Sequence, residues 1–557
     1  MTDSASDRLV GEVSTRGRVV VAEPYFEPGP ALTLGHRATV DAAPGDLVSV
    51  VPDGRGRGLL DQVLGRPDDP AAVMYALAVE AGAAEPWPAD AVVGTAPPAG
   101  RDRLDLRELE TLTIDPEGAK DHDDALSIDG DRVYVHIADV AAHVRAGSGV
   151  DAEAARRGTS VYLPGRVDPM LPAVLSSDRC SLRAGADRLA VSLALGPEGE
   201  VAVHRTLIRS DHTLTYPQAQ AILDGAAAAE GLVAAVRRTA ELAEDLRRRR
   251  MARGALAIET REIEIALTAG TVDARVRAHT PAYGLIEELM ILANRRVAEL
   301  VVQAERPALH RVHEPPEAGS IAVLLERLEA LGVPTPPAPA LHGGPETARY
   351  AGALSRAVMR YAAQEGRGIE AWPGMVLRSL RKARYDASPL GHSGIAARHY
   401  CHFTSPIRRY PDLVCHRALL AALGLGDGGD AGSGLRDLAA HCSHAERDAE
   451  RLERRGIAIC LAFLLERRLY DEGWEASFDG EVVGLIEAGA FVRFGEVFEG
   501  FMPARLWRGE RSALDPLGVS LVARSGRRLR LGDGVSVAVE SIDRARGRIA
   551  VRGVPET

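Results

Sequence analysis

Four aspartates crowd one short stretch of this chain. Asp115, Asp121, Asp123 and Asp124 fall within ten residues of ETLTIDPEGAKDHDDALSIDG, at the end of an apolar, β-like run. Pro116 and Gly118 force a loop there. Carboxylates folded into one turn repel one another and have raised pKa values unless a cation sits among them. An all-oxygen donor set favours a hard ion such as Mg2+ or Mn2+. The cluster therefore implies a metal, and hydrolysis at phosphorus with one or two ions is the chemistry that most often needs several carboxylates without Cys or His ligands. Two other readings are weaker. An EF-hand loop begun at Asp121 would put Leu126 at the glycine position and Ala125 at an acidic one. A solvated acidic turn rarely carries an embedded Lys, Pro and Gly between strong apolar flanks.

The rest of the chain has to position that loop. At 557 residues it is long enough for two to four domains, and with 46% hydrophobic and 26% charged residues it can bury real cores. The net charge of −11 argues against a protein that coats nucleic acid or an anionic membrane, so any nucleic-acid site must be a local channel. Of 67 basic residues only Lys120 and Lys382 are lysine. Lys120 lies inside the aspartate loop, where it either neutralises the carboxylates or touches a phosphate. The five cysteines are widely spaced and form no C-x-x-C pair, which fits a reducing cytoplasm better than a disulfide framework. The N-terminus lacks a basic segment followed by an apolar one, so neither export nor membrane insertion is expected.

Residues 8–65 read as short β-rich runs broken by Gly, Pro and Asp, suited to a small OB-like barrel. Residues 66–96 read as a linker with one helix in AAVMYALAVEAG, and a boundary near 97 opens a mixed α/β unit to 425, with strands such as RVYVHIADV and helices such as GLIEELMILANRRVAELVVQ. A Gly-rich tract leads into one or two charged helices over 426–473. The tail, 474–557, alternates strand and glycine as a second five-stranded barrel does, and 476–553 carries 12 Arg against 10 acidic residues.

Five ordered blocks between about 110 and 420 make the reading specific: DPEGAKDHDDALSI, HIADVAAHV, RGTSVYLPGRVDPMLPAVLSSDRCSL, GLIEELMILAN and HFTSPIRRYPDLVCHR. Together they resemble the signature blocks of the RNB family of exoribonucleases, the RNase II and RNase R group. The resemblance implies an RNB catalytic domain flanked by a cold-shock-like barrel at 1–65 and an S1-type barrel at 474–557. It implies that Asp115, Asp121, Asp123 and Asp124 hold Mg2+ or Mn2+. Arg408 would offset charge at the scissile phosphate, where a guanidinium's planar donor fork suits an anion. Tyr162 would stack on the base at the RNA 3′ end and Glu288 would bind near the terminal nucleotide. Arg409 is a secondary RNA or structural contact, and Phe491 is an RNA-facing aromatic of the C-terminal barrel. Read alone, Tyr162 is a core tyrosine, Glu288 a first-turn helix carboxylate and the Arg pair a solvated one. His392, His399 and His402 are read as structural or RNA-backbone residues.

The implied activity is processive 3′→5′ hydrolysis of single-stranded RNA to nucleoside 5′-monophosphates, by a monomer with no obligate protein partner and no membrane. The alternatives are a catalytically decayed RNA-binding protein of this type, or a nuclease of other polarity or DNA preference. Several positions depart from the family pattern. There is length for one N-terminal barrel where many members carry two, and neither a helix-turn-helix extension nor a lysine-rich tail is present. Ser393 stands where phenylalanine is common. Ala488 and Pro503 replace an aromatic and a histidine common in such barrels.

Overall fold

The computed structural model describes residues 8–35, 41–89, 91–94, 102–196, 200–258, 261–268, 270–426, 434–508 and 510–554. The expected boundary near 97 and part of the Gly-rich tract lie outside them. At the centre is a seven-stranded sheet in the order His212–Thr215, Thr111–Asp115, Asp124–Asp129, Arg132–Ala138, Asp187–Leu195, Val201–Arg209, Leu104–Asp105. Its inner pairs are antiparallel, and only the two outermost pairs are parallel. The unit is thus α+β rather than doubly wound, because its inner strands pair antiparallel instead of through parallel helical crossovers.

Both faces of the sheet are covered. Leu112, Leu126, Val135 and Val191 pack against the helices Glu230–Ala252 and Pro281–Gln303. Ala125, Ala138 and Ala190 face the other way, toward Leu413 and Val414 of helix Tyr410–Ala422 and Leu435 and Ala439 of the next helix. This explains the near-continuous apolar runs of the central strands. Across the sheet runs a buried polar ladder. Thr111 Oγ1 meets Ser127 Oγ at 2.7 Å, Ser127 meets His136 Nε2 at 2.8 Å, His136 Nδ1 meets Ser192 Oγ at 2.6 Å, and Ser192 meets Thr206 Oγ1 at 2.6 Å. Each member is satisfied by the next, so the sheet buries them without an orphan.

Closed five-stranded barrels stand at either end, Leu9 to Gly65 and Ser477 to Gly553. Helix Pro70–Glu80 follows the first barrel, capped by Asp69, whose side chain accepts from the Ala71 N–H. The charged segment before the second barrel is one helix, Leu435–Glu472, of 38 residues. At 1.5 Å per residue it spans about 57 Å. Its early residues Leu435 and Cys442 enter the core beside the central sheet, Ile459 and Cys460 pack under the first barrel, and Leu461, Leu465 and Leu469 pack under the second. One amphipathic helix therefore ties three units together. All five cysteines are free and buried. No described helix is long and apolar enough to cross a membrane.

Candidate active site

The aspartate loop is the connection between two paired strands. Leu112 opposite Leu126 sets the register, so Asp115 leaves the sheet and Asp124 re-enters it at the same end. Gly118 turns the loop with φ +78°, a conformation glycine adopts at no steric cost. The four carboxylates are not equivalent. Asp123 is 4% exposed, its Oδ1 accepts from the Ile407 N–H at 2.8 Å, and its buried Oδ2 has no hydrogen-bond partner. Burial pushes its carboxyl well above the usual range, partly offset by Arg408 and the Ile407 N–H. Burial and the neighbouring Asp115 raise Asp124 to about 7, again against Arg408. Asp115 Oδ2 lies 2.7 Å from His122 Nδ1, and Asp121 Oδ2 accepts from the Tyr162 hydroxyl at 2.5 Å. Burial is the largest single influence on His122 and works to lower its pKa, but the bond to Asp115 together with the charges of Asp115, Asp121 and Asp124 makes the net shift upward.

Arg408 stands over this loop, its Nε 3.4 Å from Asp123 Oδ2 and its side chain 43% exposed. It comes from the SPIRRY segment, whose shape is set by a second carboxylate. Fully buried Asp412 accepts from the Ser405 N–H at 2.8 Å and from Arg409 Nη2 at 2.7 Å. Arg409 is therefore committed inward. Its expected role as an RNA contact gives way to the structural one, because its guanidinium is spent on holding the loop that presents Arg408. Tyr162 reaches Asp121 from the hairpin Val161–Leu163 and Arg166–Asp168. The same segment is pinned to SPIRRY, where the Ser160 N–H and Thr159 Oγ1 both donate to the Arg408 carbonyl, at 2.9 and 3.1 Å.

Glu288 does not join this group. It is 3% exposed, and Arg250 clasps its carboxylate with Nε and Nη2 at 2.5 to 3.1 Å. Its neighbour Glu287 is the more open of the two. In this arrangement Glu288 pairs the helices Glu230–Ala252 and Pro281–Gln303. Phe491, 37% exposed, lies on the second barrel with Phe501, ring centroids 5.2 Å apart. His392 and His402 are half-buried, and desolvation lowers both pKa values, so they sit neutral in a cluster with Tyr385 and Tyr400. Ser393 donates to the Glu314 carbonyl and meets His313 Nδ1 at 3.0 Å, filling with hydrogen bonds a place where phenylalanine would pack. Lys120 is exposed.

Tyr216, beside the carboxylates, escaped the sequence reading. Strand His212–Thr215 runs parallel to Thr111–Asp115 with Thr215 opposite Asp115, which delivers the next residue, Tyr216, to the site. Burial, then Asp124 and Asp115, raise the Tyr216 pKa, and its ring stacks on Tyr283 at 3.8 Å. Only a parallel pairing between segments about 100 residues apart makes this visible, and no local pattern encodes it.

An all-oxygen set with raised carboxyls on buried Asp123 and half-buried Asp124, and an Asp123 oxygen that has no hydrogen-bond partner, fits a hard divalent cation. As placed, Asp115, Asp121 and Asp123 are each turned to a protein partner, and among the described residues no three acidic, His or Cys side chains already converge as ligands.

Comparison with known proteins identifies the domains that carry this loop. Residues 103–424 match the RNB domain and residues 474–552 the S1 RNA binding domain. Ribonuclease R of Escherichia coli is 34% identical over 538 residues, covering 90% of this chain and 63% of that protein. Ribonuclease R of Aquifex aeolicus is 34% identical over 469 residues, covering 80% of this chain and 64% of that one. The chain thus spans somewhat less than two thirds of these relatives. Mycoplasma genitalium RNase R in complex with ribose methylated single-stranded RNA superposes with a TM-score of 0.83 at 24% identity, over 99% of this chain and 90% of that one. Yeast Ssd1, a pseudonuclease, superposes at 0.69 with 17% identity over 94% and 68%. The RNB match covers more than half of the chain and encloses the aspartate hairpin, the Tyr162 segment and SPIRRY in order, so the chain belongs to the RNB family.

Proposed function

We propose that this protein is a 3′→5′ exoribonuclease that shortens single-stranded RNA to nucleoside 5′-monophosphates. The observation that carries this reading is that one loop at one end of the central sheet bears all four aspartates, with Arg408 beside Asp123 and the Tyr162 hydroxyl bonded to Asp121. The same fold serves a pseudonuclease, so the side chains and not the fold must argue for activity. Crowded, partly buried carboxylates that repel one another are costly to keep without a cation to hold, and a decayed site has no reason to retain all four.

Asp115, Asp121, Asp123 and Asp124 would hold Mg2+ or Mn2+. Such an ion, when bound, supplies Lewis-acid polarisation of the phosphodiester and makes water a better nucleophile at neutral pH. Arg408, half-open to the cleft, steadies the scissile phosphate as negative charge builds on its oxygens. Tyr162 offers its ring face to the terminal base while its hydroxyl keeps Asp121 in orientation. Arg409 and Asp412 hold the segment that carries Arg408, and the Arg250–Glu288 pair sets the helices behind it. Phe491 gives the second barrel a stacking surface for the strand upstream. We divide the chain at 1–65, 66–96, 97–425, 426–473 and 474–557, working as a monomer in a reducing cytoplasm, in keeping with five buried thiols.

The test uses 5′-labelled single-stranded RNA and DNA with Mg2+ or with EDTA. Metal-dependent, stepwise shortening of RNA is expected. RNA binding without cleavage would establish the decayed alternative, and internal cuts or equal attack on DNA would establish another nuclease specificity.

A further inference from the structure

The proposed base-stacking residue is held from a direction the mechanism does not use. Tyr162 sits in a two-stranded hairpin, and its backbone N–H points away from the partner strand. An edge N–H that is partly buried needs an acceptor. Here it donates to Glu453 Oε1 at 2.8 Å, a carboxylate from the middle of helix Leu435–Glu472, 291 residues away in sequence. Glu453 is partly buried, and among the described residues it makes no ion pair. Burial pushes its carboxyl up, and the Tyr162 N–H is the largest influence holding it down.

The helix is also shaped to come this close. One turn on, Gly456 faces the hairpin, and a Cβ there would stand 2.7 Å from Leu163 Cδ2 and 3.2 Å from Pro164 Cδ. The hairpin is thus clamped between SPIRRY on one side, through Ser160 and Thr159, and the long helix on the other, through Glu453 and Gly456. Asp121 takes the third hold, on the hydroxyl.

We propose that Glu453 is a positioning residue for Tyr162, fixing the ring where it grips the last base and so setting the length at which degradation stops. This rests on the reading of Tyr162 as the base-stacking residue. The long helix also packs under both barrels, so the hold couples the grip on the 3′ end to the element on which the RNA-binding modules sit.

The test compares Glu453→Met, which keeps chain length and removes the acceptor, and Glu453→Gln, which keeps an acceptor oxygen, with Tyr162→Ala. Final product length is read on 5′-labelled RNA, KM and kcat are read on short and long substrates, and a melting curve confirms the fold. Glu453→Met is expected to shift the final product as Tyr162→Ala does and to raise KM on short RNA by roughly three- to tenfold, with kcat on long RNA nearly unchanged. Glu453→Gln should restore the wild-type end product, and the double variant Tyr162→Ala with Glu453→Met should add nothing to Tyr162→Ala alone. A wild-type end product from Glu453→Met, when Tyr162→Ala changes it, overturns the proposal, as does a Glu453→Gln enzyme that behaves like Glu453→Met. Unchanged products from Tyr162→Ala overturn the reading of Tyr162 itself, and with it this one.

Discussion

Among single residues, Asp123 and Asp124 bear the largest electrostatic cost, and the consequence for substitution is specific. Asp123 is buried and Asp124 half-buried beside further carboxylates, and both pKa values are raised. Exchanging Asp124 for asparagine removes a charge that the folded protein tolerates only because of Arg408 and the expected cation. The Asp124→Asn protein should therefore lose cleavage while binding RNA as well as wild type and melting no lower. Gel-shift titration beside a cleavage time course checks this, and wild-type-like turnover would refute the site. Arg408 differs in kind. It is half-exposed, and in the proposed mechanism it offsets charge in the transition state, so Arg408→Ala should lower kcat by about 10²–10³-fold with a smaller effect on binding.

At the scale of elements, the SPIRRY segment and the central sheet each depend on a buried polar arrangement. Asp412 holds both the Ser405 N–H and Arg409, so Asp412→Ala leaves a buried guanidinium without its partner. A loss of about 3–5 kcal/mol in unfolding free energy is expected, read by urea denaturation, together with loss of activity as Arg408 drifts. The sheet carries a pH dependence. His136 is fully enclosed in the polar ladder, and burial lowers its pKa from 6.5 to about 3. The unfolded chain takes up a proton there more readily than the folded one. The stabilisation is complete above pH 6.5 and is lost as pH falls toward 3, at up to about 1.4 kcal/mol per pH unit. Melting temperatures between pH 7 and 4 should fall, and the fall should be shallower in His136→Gln, where nothing titrates.

For the whole molecule, the −11 net charge and the RNA-binding modules are compatible because recognition is local. Phe491 offers stacking, which does not depend on counterions, while guanidinium contacts with phosphate do. Affinity for single-stranded RNA should fall with rising salt. Phe491→Ala should lower it by roughly 1–3 kcal/mol while leaving the slope of log K against log salt unchanged. Fluorescence anisotropy at several salt concentrations separates the two. A changed slope would mean that Phe491 acts by arranging charged residues rather than by stacking.

By itself the sequence determined what depends on neighbours along the chain. The aspartate spacing, the Pro116 and Gly118 turn, the strand Arg132–Ala138, the helices Pro281–Gln303 and Pro70–Glu80 and both closed barrels all follow from short-range pattern and turn chemistry. Tertiary structure alone decided which polar groups meet across long separations. Arg409 and Glu288 read as candidates for RNA until Asp412 and Arg250 claimed them. Tyr216 reached the carboxylates only through a parallel strand pairing, and Glu453 reached Tyr162 only because a 38-residue helix runs beneath the hairpin. The reason is physical: a charged side chain's role is fixed by which opposite charge or orphaned N–H lies within about 3 Å of it, and that is set by packing rather than by sequence distance.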